Sequence, residues 1–186
     1  MAARTIPIPP SASALIDSLR GLGYSPETAL ADLIDNSISA QAQQIELDVQ
    51  WNAGDPIALV MDDGNGMDEA ALTAALQLGG KGPSSERHAH DLGRFGLGLK
   101  TASLSQGRRL TVVTRQAGET SALSLDVDVV QQNGWIAEVP EHLPSHPFVE
   151  RLAGGEKGTL ILIDRMDALS GLAGLQKEQF FLRLEE

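Results

Sequence analysis

The chain has 186 residues, a length that fits one domain with a buried core. It carries 25 acidic and 14 basic side chains, and a formal net charge of −11 disfavours a free-standing nucleic-acid-binding protein, because the average field repels phosphate polymers. The absence of cysteine excludes disulfides and thiolate metal sites, and without a signal peptide or a long apolar run we expect a cytoplasmic protein that contacts no membrane.

The first part of the chain predicts a proline-rich arm, two helices and two strands. The second helix has a clear start, because Ser25 is a good N-cap and Pro26 stands at the first helical position. Two aliphatic segments after this helix are typical of strands. The predicted elements are an arm over 1–10, helices over 11–22 and 26–40, and strands over 43–51 and 57–61.

The second part predicts a long loop between two helices, then strands, then a closing helix. The loop is polar and rich in glycine, which is typical of a lid in a compact domain. The alternating segments behind it indicate further strands of one sheet. The predicted elements are helices over 68–78, 99–105 and 167–186, the lid over 79–95, and strands over 109–115, 121–129 and 158–163.

A polar stripe runs along the predicted helix over 26–40. Asp32, Asp35 and Asn36 fall on one face at the helical period, while the aliphatic residues fall on the other. One interpretation is the solvated face of an amphipathic helix. The other is a site in which carboxylate and amide oxygens bind a hard cation and one carboxylate orients water.

An acidic, glycine-containing turn, Asp62-Asp63-Gly64-Asn65-Gly66-Met67, ends an apolar strand. Asp-Gly and Asn-Gly pairs form turns readily, so a simple turn is one interpretation. A calcium loop is excluded, because Thr73 or Ala74 would occupy the twelfth position, where a bidentate glutamate is needed. The remaining interpretation is a carboxylate at a strand end, beside glycines that let a flat ring approach the backbone.

A third block, Gly93-Arg94-Phe95-Gly96-Leu97-Gly98, leads into the helix predicted over 99–105. It fails the GxxxxGK[ST] phosphate-loop pattern, because Leu99 separates Gly98 from Lys100. It also reverses the glycine order of the dinucleotide-binding fingerprint. A flexible connector is one reading of such glycines, but glycine-rich N–H groups at a helix N-terminus also form an anion site.

These blocks, with Gly158-Thr159, resemble in their order the N, G1, G2 and G3 boxes of the GHKL ATPases, the superfamily of DNA gyrase B, MutL, heat-shock chaperones and histidine kinases. Within it, residues 29–37 and 98–103 are most similar to MORC-like ATPases and their bacterial relatives. The resemblance covers 26–164 and implies a Bergerat-type α/β (α+β) two-layer sandwich, with helices on one face of a mixed, mostly antiparallel sheet.

The resemblance also implies a division of the chain. An arm and short helix over 1–25 would precede the ATP-binding domain over 26–166, with its lid over 79–95. A helix over 167–186 would lead to a transducer domain that this chain lacks, so we expect a fragment of a longer protein.

The resemblance assigns roles to individual residues. Asn36 would bind Mg²⁺, Asp62 would accept a hydrogen bond from the adenine amino group, and Thr159 would support adenine through water. Gly64 and Gly66 would let the base approach. Nucleotide contacts would also come from a further set in the boxes and the lid, with Lys81 as a lid lysine: Met67, Lys81, Gly93, Arg94, Phe95, Gly96, Leu97, Gly98 and Lys100.

One position departs from the family pattern. Asp32 stands where the family usually has a glutamate general base, four residues before the asparagine. Either Asp32 or Asp35 is expected to orient the attacking water. The implied function is Mg²⁺-dependent ATP binding and slow hydrolysis that drive a dimerising clamp. Alternatives are a nucleotide-sensing module without turnover and a histidine-kinase catalytic domain. The clamp's target, whether DNA, a client protein or a defence partner, would bind outside this chain.

Overall fold

The computed structural model describes residues 5–78 and 97–167. The predicted lid and nearly all of the predicted closing helix lie outside these ranges. Within the described residues, no helix is long and apolar enough to cross a membrane. The helices are α1 (Ala12–Arg20), α2 (Pro26–Ser39), α3 (Glu69–Leu76), α4 (Gly98–Gln106), α5 (Val127–Asn133) and α6 (Pro147–Gly154), with a 3₁₀ turn over Asn52–Gly54. The strands are β1 (Ile45–Gln50), β2 (Ile57–Asp62), β3 (Arg109–Gln116), β4 (Glu119–Asp126) and β5 (Gly158–Asp164).

The five strands form one sheet in the order β1-β2-β5-β3-β4. The predicted two-layer α+β fold is confirmed. The sheet was expected to be mixed, but every pairing among the described strands is antiparallel. In this register Thr159, at the start of β5, lies opposite both Asp62, at the end of β2, and Thr114, near the end of β3. Polar residues from three central strands therefore meet at one end of the sheet.

The main core lies between the sheet and helices α1 to α5. Leu33 of α2 and Leu104 of α4 are fully buried in it, and each such leucine contributes about 1.5–3 kcal/mol through burial. A second, smaller core lies under α6 on the opposite face, whereas all helices had been expected on one face. The reason is that the central strands are apolar on both faces and both need cover. The buried residues of this second core are Leu59, Val113, Leu152, Leu160 and Leu162.

The helix starts show how local sequence fixes the elements. The Ser25 hydroxyl accepts a hydrogen bond from the Thr28 N–H, and Pro26 occupies the first turn, so α2 begins where the sequence predicted. The strand predicted over 121–129 was too long, because the Asp126 side chain accepts from the Asp128 N–H and starts α5. The N-terminus of α4 follows Leu97, whose side chain makes no capping hydrogen bond.

Candidate functional site

Asp62 is a buried carboxylate at the end of β2, with a relative exposure of 5%. The Ser37 hydroxyl of α2 donates to its Oδ2 at 2.9 Å, and the Gly64 N–H donates to its Oδ1 at 2.9 Å. Burial nevertheless raises the pKa of Asp62 above its ordinary value, although both hydrogen bonds oppose that shift. The fold therefore keeps the Asp62 carboxylate in a buried position that disfavours its ionised form. A group with such a perturbed pKa is typical of a binding residue.

Two threonines lie beside Asp62. Thr159 faces it across the β2–β5 register, and the hydroxyls of Thr114 and Thr159 lie 3.4 Å apart. The Met67 N–H donates to the Thr114 hydroxyl at 2.8 Å, which ties the turn after β2 to the end of β3. The structure thus brings together the predicted Asp62, Met67 and Thr159, and adds Thr114, which the sequence analysis missed.

The glycines of this turn let protein segments approach one another closely. A Cβ on Gly66, whose φ is +63°, would lie 1.9 Å from the Arg115 carbonyl oxygen. A Cβ on Gly64 would lie 2.9 Å from both Cβ and O of Ala40. Side chains at these positions would push the turn away from α2 and β3, so the glycines shape the site around Asp62. Their contact with a base stays a prediction.

Helix α2 carries the predicted catalytic and metal-binding residues. Asp35 is exposed, whereas Asp32 and Asn36 are half-buried. Among the described residues, the buried Asn36 amide nitrogen has no hydrogen-bond partner, which is uncommon in folded proteins. The binding of Mg²⁺ by Asn36 stays a prediction. Within the described ranges, no three acidic or histidine side chains cluster to hold a metal.

The N-terminus of α4 faces Asp32. A Cβ built on Gly98 would lie 4.0 Å from the Asp32 Oδ2. Helix N-termini commonly bind anions through their first-turn N–H groups. Leu97 and Gly98 lie at this N-terminus, and their contact with phosphate stays a prediction. The predicted Lys81, Gly93, Arg94, Phe95 and Gly96 lie outside the described residues.

The family described as "Histidine kinase-, DNA gyrase B-, and HSP90-like ATPase" matches residues 24–159, well over half of the chain. The chain belongs to this family. Both the predicted resemblance and the fold class are therefore confirmed.

Three curated relatives illustrate the similarity to this GHKL domain. The ATPase morc-1 of Caenorhabditis elegans is 32% identical over 98 residues, 53% of this chain and 11% of the relative. The ATPase MORC2 of Homo sapiens is 29% identical over 120 residues, 63% of this chain and 11% of the relative. The DNA mismatch repair protein MutL of Rhodospirillum rubrum is 34% identical over 115 residues, 55% of this chain and 16% of the relative. The chain spans a small part of these longer proteins, and its family membership supports ATP binding.

Lys100 has an unexpected environment in this GHKL domain. Its side chain is fully buried, and its Nζ donates to the Ala75 carbonyl at 2.6 Å, in the last turn of α3. Burial lowers the pKa of Lys100 from 10.5 to about 8. An ammonium group at a helix C-terminus stabilises the exposed carbonyls there. Its predicted contact with the nucleotide stays a prediction.

Two further residues near this GHKL site were not predicted from the sequence. Ser37 was given no role, yet its hydroxyl donates a hydrogen bond to Asp62. Its position on the apolar side of α2 was the available signal, because a buried serine needs a partner. Tyr24 is the residue before the N-cap of α2, and burial, followed by the influence of Asp32, raises its pKa. Helical periodicity gave no indication of this influence, since Tyr24 lies outside the helix.

Proposed function

We propose that this chain is the ATP-binding domain of a longer protein, that it binds ATP together with Mg²⁺, and that it hydrolyses the nucleotide slowly. One observation carries the proposal. Helix α2 contacts the buried Asp62 through Ser37, and it brings Asp32 next to the N-terminus of α4, with Asn36 between these two contacts along the helix. A base-recognising carboxylate and a phosphate-binding helix end thus flank one polar helix face.

Each residue has a task in this proposal. Asp62 accepts a hydrogen bond from the adenine amino group, and Thr159 supports the base beside it. The first-turn N–H groups of α4 hold phosphate oxygens, as helix N-termini commonly do. The Asn36 amide oxygen binds Mg²⁺, which when bound neutralises charge on the phosphates. Asp32 accepts a hydrogen bond from the attacking water and orients it in line with the γ-phosphoryl group.

Closure around ATP would pair two copies of the chain into a clamp that acts on DNA or a client protein through regions outside this chain. The support for the clamp is the similarity of the chain to MORC and MutL proteins. In addition, Ile6 and Ile8 of the N-terminal segment are exposed, at 67% and 89%, and are available to pack against a second copy.

The test separates binding from turnover. Calorimetry with ATP and Mg²⁺ should detect binding to the wild type and to Asp32→Asn alike, while single-turnover hydrolysis should fall on the order of a hundredfold in Asp32→Asn. Asp35→Asn is the matched control, because Asp35 is an exposed carboxylate on the same helix. Light scattering with ATP and ADP in turn reports whether the γ-phosphate pairs two copies.

The outcomes distinguish the candidates. Loss of turnover in Asp35→Asn with normal turnover in Asp32→Asn would identify Asp35, and not Asp32, as the base. Phosphate transfer to an added histidine-containing acceptor would favour a histidine-kinase domain. Binding without turnover would favour the sensing module, which the shorter aspartate at position 32 supports. In that case Asp32→Glu, which restores the usual side-chain length, should increase hydrolysis.

A further inference from the structure

Two asparagines of the chain precede a glycine, Asn65 before Gly66 and Asn133 before Gly134. In such a pair the main-chain nitrogen of the glycine can attack the side-chain carbonyl carbon of the asparagine, because glycine has no Cβ to obstruct the approach. Both asparagines are exposed. Local sequence and access to water are therefore alike at the two positions, and a difference in reactivity must come from the fold.

The nitrogens of the two glycines differ in their hydrogen bonds. Gly134 is the C-cap of α5, and its N–H donates to the Val130 carbonyl at 3.1 Å. This hydrogen bond holds the nitrogen in the last turn of the helix. Among the described residues, no hydrogen bond has the Gly66 N–H as its donor. The nitrogen that would attack is thus engaged beside Asn133 and not beside Asn65.

The side chain of Asn65 also has a cationic neighbour. The Lys157 Nζ donates a hydrogen bond to the Asn65 Oδ1 at 3.2 Å, whereas the hydrogen bond from the Asn65 amide nitrogen to Gln41 is long, at 3.5 Å. An ammonium group on the carbonyl oxygen draws electron density from the carbonyl carbon, and it stabilises the negative oxygen that forms during attack. Lys157 thus activates this carbonyl, and the amide nitrogen is weakly held.

We propose that Asn65 is a site of spontaneous deamidation. The Gly66 nitrogen loses its proton to a solvent base and forms a bond to the side-chain carbonyl carbon of Asn65. The bond from that carbon to the amide nitrogen breaks, and the amide takes up a proton and leaves as ammonia. Water then adds to one of the two carbonyl carbons of the succinimide ring. One opening gives aspartate at position 65, and the other gives isoaspartate, whose main chain runs through the former side chain.

Isoaspartate adds one methylene to the main chain of a turn that is closely packed on both sides. The Asn65 N–H donates to the Ala40 carbonyl at 2.8 Å. On the other side, a Cβ on Gly66 would lie 1.9 Å from the Arg115 carbonyl oxygen. A longer main chain must therefore displace the turn that follows Asp62. The resulting loss of ATP affinity is a consequence that rests on the proposed function, whereas the deamidation itself does not.

The first test compares the two asparagines within one molecule. The wild type is incubated in mildly alkaline buffer, and peptide mapping by mass spectrometry follows both conversions, with electron-transfer fragmentation to distinguish isoaspartate from aspartate. In the folded chain Asn65 should convert on the order of tenfold faster than Asn133, because the helical hydrogen bond of Gly134 must open first. In urea the two rates should become similar. Equal rates in the folded chain, or an unchanged ratio in urea, would overturn the proposal.

The second test concerns the activating cation. Lys157 is exposed, so Lys157→Gln should preserve the fold, as far-UV circular dichroism can check. It should slow conversion at Asn65 several-fold and leave conversion at Asn133 unchanged. Arg151→Gln is the matched control, because it removes another exposed cation and should change neither rate. An unchanged rate at Asn65 in Lys157→Gln would overturn the activation by this lysine.

Calorimetry with ATP separates the modification from the proposed function. The isolated isoaspartate form should bind ATP about tenfold more weakly than the fresh wild type. Asn65→Asp supplies the charge without the added methylene, and it should keep nearly the wild-type affinity. Wild-type affinity in the isoaspartate form, or an equal loss in Asn65→Asp, would overturn the effect of the longer main chain. Absence of ATP binding by the fresh wild type would contradict the proposed function, while the conversion rates would still decide whether Asn65 deamidates.

Discussion

Asp62 is a residue that the fold keeps in spite of its effect on stability. Its ionised carboxylate is disfavoured by burial, so the folded-state pKa lies above the unfolded value. For such a group the contribution to stability is largest at low pH and falls as the pH rises through the interval between the two pKa values. A carboxylate that burial destabilises at neutral pH is better explained by ligand binding than by folding.

We predict that Asp62→Asn separates stability from affinity. The amide oxygen can accept from the Gly64 N–H, and the Ser37 hydroxyl can turn to accept from the amide nitrogen, so the free energy of unfolding at pH 7 should not decrease by more than about 1 kcal/mol. The mismatched adenine contact should cost about 1–3 kcal/mol of ATP binding. Urea unfolding and calorimetry measure the two quantities. Unchanged ATP affinity, or a wild type that prefers GTP, would contradict the adenine contact.

The contribution of Lys100 to stability changes with pH in the opposite direction to that of Asp62. Its pKa is lowered to about 8 in the folded state, so between pH 8 and 10.5 the unfolded chain binds more protons than the folded one. Stability due to this group should therefore rise with pH across that interval, by about 3 kcal/mol in all.

The measurement compares the wild type with Lys100→Met from pH 7 to 10. Methionine preserves much of the buried volume and does not titrate, so groups common to both proteins cancel in the difference between their free energies of unfolding. The wild type should gain stability relative to Lys100→Met as the pH rises. A constant difference would mean that the ammonium group is well solvated in the folded protein.

At the scale of the elements, local signals explain which helices the sequence predicted. Helix α2 was predicted with nearly correct bounds, because its start depends on local contacts alone. Ser25 accepts a hydrogen bond from an N–H of the first turn, and Pro26 lies in that turn. The first residues of α5, 127–129, were assigned to a strand, since Val127 and Val129 favour strands and the capping role of Asp126 was not recognised. Tertiary contacts, in particular the burial of Val127 and Val130, then stabilise the helix.

Helix α6 was not predicted, although its start also carries a local signal. The His146 Nδ1 accepts from the Phe148 N–H at 3.1 Å, and Pro147 occupies the first helical turn. The cap is itself held from outside the helix, because the His146 Nε2 lies 2.8 Å from Asp48 of β1. A histidine cap that depends on a partner 98 residues away is not visible in local sequence.

The candidate site likewise contains residues that were predicted from the sequence and features that were not. Asp62 and Thr159 were assigned through the resemblance to the GHKL ATPases, and the antiparallel register brings them opposite each other. The burial of Lys100 could not be predicted, since α4 is polar in sequence yet buried from Lys100 to Gln106. Its environment is formed by α3, which contributes the Ala75 carbonyl from 25 residues away. Periodicity identifies faces, but it does not identify the partner that covers them.

For the molecule as a whole, the two ends of the sheet have different roles. Asp62 and Thr159 lie at one end, and an ion-pair network lies at the other, where β5 ends and β3 begins. Arg108 pairs with Asp128 and Asp167, and Arg165 pairs with Asp126 at 2.8 Å and with Asp128. Helix α4 connects the two regions, since its first turn faces Asp32 and its last carbonyls contact this network.

Arg20 is the central residue of that connection. Its Nη1 donates to the carbonyls of Leu104 and Gly107 at 2.6 and 2.7 Å, at the C-terminus of α4. Its Nη2 donates to both oxygens of Asp167 at 2.6 and 2.7 Å. Although burial acts in the opposite sense, the hydrogen bonds from Arg20 and Arg108 hold the pKa of Asp167 below its ordinary value. Arg20 thus connects α1 to the end of α4 and to Asp167 through hydrogen bonds.

We predict that Arg20→Ala destabilises the domain by about 2 kcal/mol, because it leaves two carbonyls at the C-terminus of α4, those of Leu104 and of the C-cap Gly107, and one carboxylate without their main donor in a partly buried setting. Arg151→Ala is the matched control. Arg151 pairs with Glu46, but the two side chains are 48% and 44% exposed, so the loss should stay below about 1 kcal/mol. Urea unfolding of both variants measures the difference. Equal losses would mean that Arg20 acts as an ordinary surface charge, and that the end of α4 is held by the apolar core instead.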